Sequence, residues 1–435
     1  MSDPTGGALV PGKEPASGRR KRRPNGRKRF RKRKTPQSES VLESAQTSTG
    51  VTDEASDFKS GKPAGFGNNS GKGQHSKEYV AVRAQRPLYA ALDLGTNNCR
   101  LLIAAPQKPG RFRVVDGFSR IVRLGEGLGN SGQLSDEAMD RAIEALKICA
   151  EKLQFRELKN QRLIATEACR QASNGDHFLK RVQDEAGIEL EILSREMEAK
   201  LAASGCGSLM DRRSDGAVLF DIGGGSSELI LVDRSINRRA HISEQIAAWT
   251  SLPMGVVTLA EKFGGEAVTR DLFESMVDFV LEAIEQFQEK DAIDEISKRG
   301  NVHLLGTSGT VTTLAGIHLK LPRYDRRQVD GLWMDDSSVD VIIDELLEMS
   351  YEERAANPCI GNDRADLVLA GCAILNAIRK TWPSDRLRVA DRGLREGMLS
   401  EMMSKDRAWI YPKKNRWSRK RRKKRSEMQR KGEPS

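Results

Sequence analysis

Two short segments of this sequence carry residue types that suit phosphate chemistry. They are Leu92-Asp93-Leu94-Gly95-Thr96-Asn97-Asn98 and Phe220-Asp221-Ile222-Gly223-Gly224-Gly225-Ser226-Ser227-Glu228. Each is an apolar run ending in Asp, then a Gly-rich turn with hydroxyl or amide side chains, then a second apolar run. Glycine lets a backbone approach an anion closely, and successive N–H groups form an anion-binding nest. Thr, Asn and Ser add donors. An Asp at the strand end can hold a divalent cation, directly or through water, that neutralises phosphate. One such turn is indistinguishable from an ordinary β-hairpin that happens to contain Gly and Asp. Two copies, if they face each other, would clamp a phosphate chain from both sides.

The elements that must position these turns follow from the apolar patterning. Leu88–Leu94 reads as a strand closed by Gly95, Arg100–Ala105 as a second and Phe112–Asp116 as a third. A helix begins after Ser135 as N-cap, with acids in its first turn, and runs to about Leu153. Leu163–Thr166 and Glu191–Leu193 read as short strands, and Arg195–Ala203 as a helix. The pattern then restarts with strands at Gly216–Asp221 and Glu228–Val232 and helical stretches from about Arg270 to Lys290. Val302–Leu305 is a strand leading into Gly306-Thr-Ser-Gly-Thr310 and a helix, and the last helices cover Ser337–Met349, Asp363–Lys380 and Leu394–Met403. Strands mixed with helices in this way predict an α/β fold.

Charge divides the 435 residues into three parts. Residues 1–86 carry a net +11, residues 406–435 a net +10, and the body between them −10. Twelve of the sixteen residues from Arg19 to Lys34 are basic, so that stretch cannot bury enough apolar surface to offset its ordering entropy. Both arms are expected to be disordered. No apolar run approaches the roughly 20 residues that a membrane-spanning helix needs, and the N-terminus has no apolar core of a secretory leader. The six Cys form no C-x-x-C pair, so reduced thiols in a cytoplasmic protein are expected rather than a disulfide scaffold or zinc ribbon. The five His show no metal-ligand spacing. The Gly65–Gly73 stretch lacks the P-loop spacing, and no strand precedes it.

The duplicated turns resemble the two phosphate motifs of the actin, Hsp70 and sugar-kinase superfamily. More narrowly, ALDLGTNNCRLLIA, RLGEGL, ATEACRQASN, ILSREMEAKL, VLFDIGGGSSELILV, LPMGVVTLAEKF, GTSGTVTTLAGI and ADRGLREGML occur in the order typical of the Ppx/GppA family. That family comprises exopolyphosphatases and guanosine pentaphosphate phosphohydrolases. The likeness covers about residues 87–405. It implies two ribonuclease-H-like lobes with a cleft between them: lobe I over 87–205 and lobe II over 206–405, with the last helix free to pack back on lobe I. It also implies the short, two-domain form, with a basic tail in place of a further helical domain.

The resemblance assigns roles residue by residue. Glu198, before Ala199, matches the carboxylate that activates the attacking water, a role that suits a positioned base; Glu196 is the fallback. Asp221 and Glu228, seven residues apart across the turn, match the acids that bind Mg²⁺, with Asp93 assisting from the opposite loop. Gly95, Thr96, Asn97, Gly223, Gly224, Gly225 and Ser226 would supply donors to phosphate. Asn98 stands where many members have Ser, which puts its contact in doubt. Arg100 and Arg170 match basic positions that contact the phosphate chain, since guanidinium fits phosphate oxygens bidentately. Gly306–Thr310 occupies the place of the superfamily's nucleotide-base loop, and a helix-capping turn is an equal reading.

The implied activity is Mg²⁺-dependent release of terminal phosphate from inorganic polyphosphate or of the 5′ γ-phosphate from guanosine pentaphosphate. Two alternatives stand beside it. One is a sugar- or acetate-kinase-like phosphotransferase. The other is a nucleic-acid-binding protein with a degenerate core, its basic arms interleaved with Phe30, Trp409, Tyr411 and Trp417 and able to bind RNA or another polyanion. Pairing into a homodimer is left open by the sequence.

Overall fold

A computed structural model describes residues 86–238, 241–298 and 300–409. Residues 1–85 and 410–435, which hold most of the two basic arms, lie outside the described residues. The first sheet contains β1 (Leu88–Leu94), β2 (Asn98–Pro106), β3 (Phe112–Ile121), β4 (Leu158–Ala165) and β5 (Glu191–Ile192), in the order β3-β2-β1-β4-β5. The second contains β6 (Gly216–Ile222), β7 (Ser227–Asp233), β8 (Ile246–Leu252), β9 (Val302–Thr307), β10 (Trp333–Asp335) and β11 (Arg386–Ala390), in the order β10-β11-β9-β6-β7-β8. In each, the first three strands form an antiparallel meander and the next pairs parallel to the first. The topology is therefore duplicated, as the two turns are, and each turn joins the first strand of its sheet to the second.

Both turns sit at strand ends because β1 and β6 are buried on both faces. Ala90, Leu92 and Leu94 pack under the helix Asp136–Gln154, while Tyr89 and Ala91 pack under the helix Leu394–Lys405. Ser135 caps the first of these helices, its hydroxyl accepting from the Ala138 N–H at 3.2 Å. In the second sheet Val218, Phe220 and Ile222 face the larger core, and Ala217 and Leu219 face the helix Arg195–Cys206. By alternation, Asp93 and Asp221 lie on the inner faces. The two inner helices cross in backbone contact. A Cβ on Gly205 would lie 2.0 Å from the Gly393 carbonyl oxygen, and one on Gly397 2.0 Å from that of Leu201.

Several boundaries differ from the sequence reading. β3 runs on to Ile121 and β4 starts at Leu158. Most of their extra residues are polar and exposed, and strand signals fade where neither face is covered. β8, β10 and β11 carried no sequence expectation. Of the helical stretches expected from about Arg270 to Lys290, the structure forms the helix Arg270–Glu285, and the helix expected from Asp363 begins at Val368, after a 3₁₀ turn at Asn362–Arg364. Trp409, counted above with the C-terminal arm, packs against the cluster around Tyr89 and donates its indole N–H to Ser404 Oγ at 2.8 Å. Among the described residues, no helix is long and apolar enough to cross a membrane.

Candidate active site

The two turns have the same internal hydrogen bond. Gly95 N–H donates to the Asn98 carbonyl and Gly223 N–H to the Ser226 carbonyl, both at 2.9 Å. They also touch. A Cβ on Gly224 would come 3.2 Å from the Asn97 nitrogen, and one on Gly225 2.7 Å from Thr96 Oγ1. Only glycine lets the loops close to this distance. The register makes them chemically complementary: Asp93 pairs with Arg100 across β1–β2, and Asp221 pairs with Glu228 across β6–β7. One hairpin presents a guanidinium where the other presents a second carboxylate.

A cleft of about 510 Å³ lies between the turns. Its wall includes every predicted residue of the two loops, together with Asp93, Asp221, Glu228, Arg100 and Glu198. Arg170 is not in the wall. It stands behind Glu198, its Nη2 donating to Glu198 Oε2 at 3.1 Å. Glu196, the fallback base, faces solvent and pairs with Lys200 at 2.7 Å. Asn98 remains in the wall, and the side-chain oxygens of Asn97 and Asn98 are buried with no partner in the protein. Such orphaned groups carry a desolvation cost that a bound ligand relieves.

The four acids form an interacting series. Burial, then the Asp93 charge, pushes Asp221 up to about 6. Burial, then Asp221, pushes Glu228 up to about 7, against hydrogen bonds from Ser226 Oγ (2.8 Å) and Ser251 Oγ (3.0 Å). Burial, then Glu228, holds Glu198 well above the usual carboxylate range, with Arg170 opposing. Asp93 is raised by burial and lowered by Arg395 and Arg100. Among the described residues, no three acid, His or Cys side chains converge closely enough to hold a metal alone. This donor set fits Mg²⁺, which takes one or two carboxylates and fills its remaining positions with water and phosphate oxygens.

Among the wall residues to which the sequence reading assigned no role are Ser308, Arg364, Arg395 and Glu167. Ser308 holds the left-handed conformation (φ 80°), unusual outside glycine, and hydrogen-bonds Asp221. Arg364 and Arg395 stand near Arg100; burial, then Arg395, brings Arg100 down to about 10, with Arg364 adding to the fall. Glu167 is almost wholly buried, and a Cβ on Gly225 would come 3.4 Å from its Cγ. Ser308, Arg395 and Glu167 lie in motifs quoted above, GTSGTVTTLAGI, ADRGLREGML and ATEACRQASN, which were the available signal.

The sequence profile of the Ppx/GppA phosphatase family matches residues 103–406. The chain belongs to the Ppx/GppA phosphatase family. Within it, the chain is similar to the guanosine-5′-triphosphate,3′-diphosphate pyrophosphatase of Photobacterium profundum, 30% identical over 333 residues covering 74% of this chain and 60% of that protein. It is also similar to the bifunctional 3-dehydroquinate synthase/phosphatase of Fusobacterium nucleatum, 27% identical over 321 residues covering 72% and 46%. The chain thus spans about half to three-fifths of the length of these curated relatives. Among solved structures it is similar to the Ppx/GppA family member of Aquifex aeolicus, with TM-score 0.58 and 27% identity, covering 74% of this chain and 98% of that one. It also matches an exopolyphosphatase from Cytophaga hutchinsonii, with TM-score 0.65 and 24% identity, covering 74% and 100%, a likeness of fold. The two-lobed, actin-like α/β architecture expected from the sequence is the fold of this Ppx/GppA protein.

Proposed function

We propose that the protein is a phosphohydrolase that releases a terminal phosphate from guanosine pentaphosphate or inorganic polyphosphate, with water activated by Glu198. The observation that carries this reading is the single cleft in which the paired turns, the four interacting carboxylates and Arg100 meet. Loop N–H groups and the Thr96, Ser226 and Asn97 side chains would bind phosphoryl oxygens. Arg100, with Arg364 and Arg395, would balance charge along the phosphate chain. Glu198, held above the usual carboxylate range, suits the base near neutral pH. Its burial keeps bulk water from competing for the proton. Asp221 and Glu228, with Asp93 beside them, would hold Mg²⁺, which when bound supplies positive charge to the departing phosphoryl oxygens.

One feature favours guanosine pentaphosphate. Beside the helix Ser308–His318 the cleft wall continues through Tyr324, Cys359, Ile360, Leu367 and Val368. Polyphosphate has no apolar part to bury there, whereas a guanine ring does. Phosphate release measured for both substrates, with and without Mg²⁺, tests the reading: hydrolysis of neither overturns it, and faster turnover of polyphosphate overturns the preference. The basic arms support a partner role alongside catalysis, the capture of a polyanion such as long polyphosphate or RNA. A cytoplasmic protein fits the reduced thiols of this reading.

A further inference from the structure

Four of the five N–H groups of Arg170 are engaged by protein acceptors. Its Nε donates to Glu167 Oε2 at 2.8 Å, its Nη1 to the Leu193 carbonyl, and its Nη2 to both Glu167 and Glu198. Glu167 in turn receives Arg195, whose Nη2 donates to Oε1 at 2.6 Å and whose Nε donates to Oε2 at 3.2 Å. The result is an Arg–Glu–Arg cluster centred on a carboxylate that is 2% exposed. Burying a charge this deeply is costly unless it is paired and fully hydrogen-bonded. Ordinary fold stability does not need such a cluster, since an apolar side chain of similar volume does as well or better. Its effect here is geometric. Glu167 links three elements: its own short helix Glu167–Gln171, the start of the helix that carries Glu198, and the second phosphate turn at Gly225.

We infer that Glu167 is a positioning residue: it locks Arg170 into a bracket that orients the Glu198 carboxylate, so that Arg170 acts on the base and not as a ligand of the phosphate chain. This rests on Glu198 being the base. The bracket uses the rigid fork of the guanidinium, which spans three acceptors at once, a geometry that an ammonium cannot reproduce. A misplacement of the base of about 1 Å costs on the order of 10²-fold in rate, without touching the groups that hold the phosphates.

The test is steady-state kinetics on whichever of polyphosphate and guanosine pentaphosphate the wild type hydrolyses, for Glu167→Gln, Arg170→Lys and Glu198→Gln. A neutral amide offers its oxygen to only one of the two arginines and turns its NH₂ toward the other. The expected result is a fall in kcat of roughly 10- to 100-fold for Glu167→Gln and for Arg170→Lys, with KM within about twofold of wild type. Glu167→Gln added to Glu198→Gln should cost little more than Glu198→Gln alone, because both act through one group. If Glu167→Gln fails to fold, Arg170→Lys alone decides, since it keeps the charge and loses only the fork. A rise in KM as large as or larger than the fall in kcat makes Arg170 a phosphate ligand and overturns the inference. Unchanged kcat in a folded Arg170→Lys protein overturns it as well. Full activity in Glu198→Gln is a different failure, which removes the functional reading itself.

Discussion

The cation-free protein should lose stability as pH rises from acid to neutral, and Mg²⁺ should restore it. Asp221 lies at about 6 in place of 3.8, and Glu228 at about 7 in place of 4.5. Both are held protonated in the folded state at a pH where the unfolded chain has already released its protons. A carboxyl group raised on folding therefore contributes a penalty that is absent below its unfolded value and complete above its folded one. These two groups lower stability through the window from about pH 4 to about pH 7, opposed below about pH 6.5 by His303, which burial brings down to about 4. At ~1.4 kcal/mol per tenfold change, each group accounts for roughly 3 kcal/mol, and the pair for less than twice that because the Glu228 shift already includes the Asp221 charge. A domain of this size shifts its Tm by about 2 °C per kcal/mol. Scanning calorimetry in EDTA should then give a Tm several degrees lower near pH 8 than near pH 5.5. Millimolar Mg²⁺ should recover much of that difference near pH 8 and little near pH 5.5. The double variant Asp221→Asn/Glu228→Gln should flatten both dependences. A wild-type Tm that rises across this window, or an Mg²⁺ effect of equal size at both pH values, refutes the reasoning.

Asp221→Asn or Glu228→Gln alone should move the Mg²⁺ requirement of phosphate release to higher concentration; a metal titration unchanged from wild type puts the cation elsewhere. Gly397→Ala places a Cβ 2.0 Å from the Leu201 carbonyl oxygen, so it should destabilise the fold by about 1–3 kcal/mol, as overpacking does, which urea melts would show. Deleting residues 1–86 and 410–435 should leave kcat on short polyphosphate unchanged while raising KM for long chains and flattening its salt dependence. Equal KM values at low salt for the full and shortened proteins count against capture by the arms.

Much of the fold was legible because β1 and β6 are continuous apolar runs closed by Asp and Gly, a local signal that needs no tertiary information. The same locality made the phosphate turns readable, since each packs its donors into a few consecutive residues. Edge strands were harder. The second half of β3 and the start of β4 are polar on exposed faces, so their alternation carries little contrast. The part of the cleft that came from afar was not legible. Arg364 enters it only because a distant segment folds there, and Glu167 gives no sign of its role until Arg170 and Arg195 are seen around it. Arg170 shows the opposite difficulty. Its residue type and motif suggested a phosphate ligand, whereas its hydrogen bonds direct it to Glu198.

Glu198 is the residue on which hydrolysis depends most directly in the proposed mechanism. Wild-type protein and Glu198→Gln should be compared for phosphate release from guanosine pentaphosphate and from polyphosphate in the presence of Mg²⁺, alongside substrate binding by calorimetry. Loss of the base predicts a rate lower by roughly 10²- to 10⁴-fold, with binding preserved because the phosphate turns and Arg100 are untouched. Near-normal turnover by Glu198→Gln would contradict the central claim.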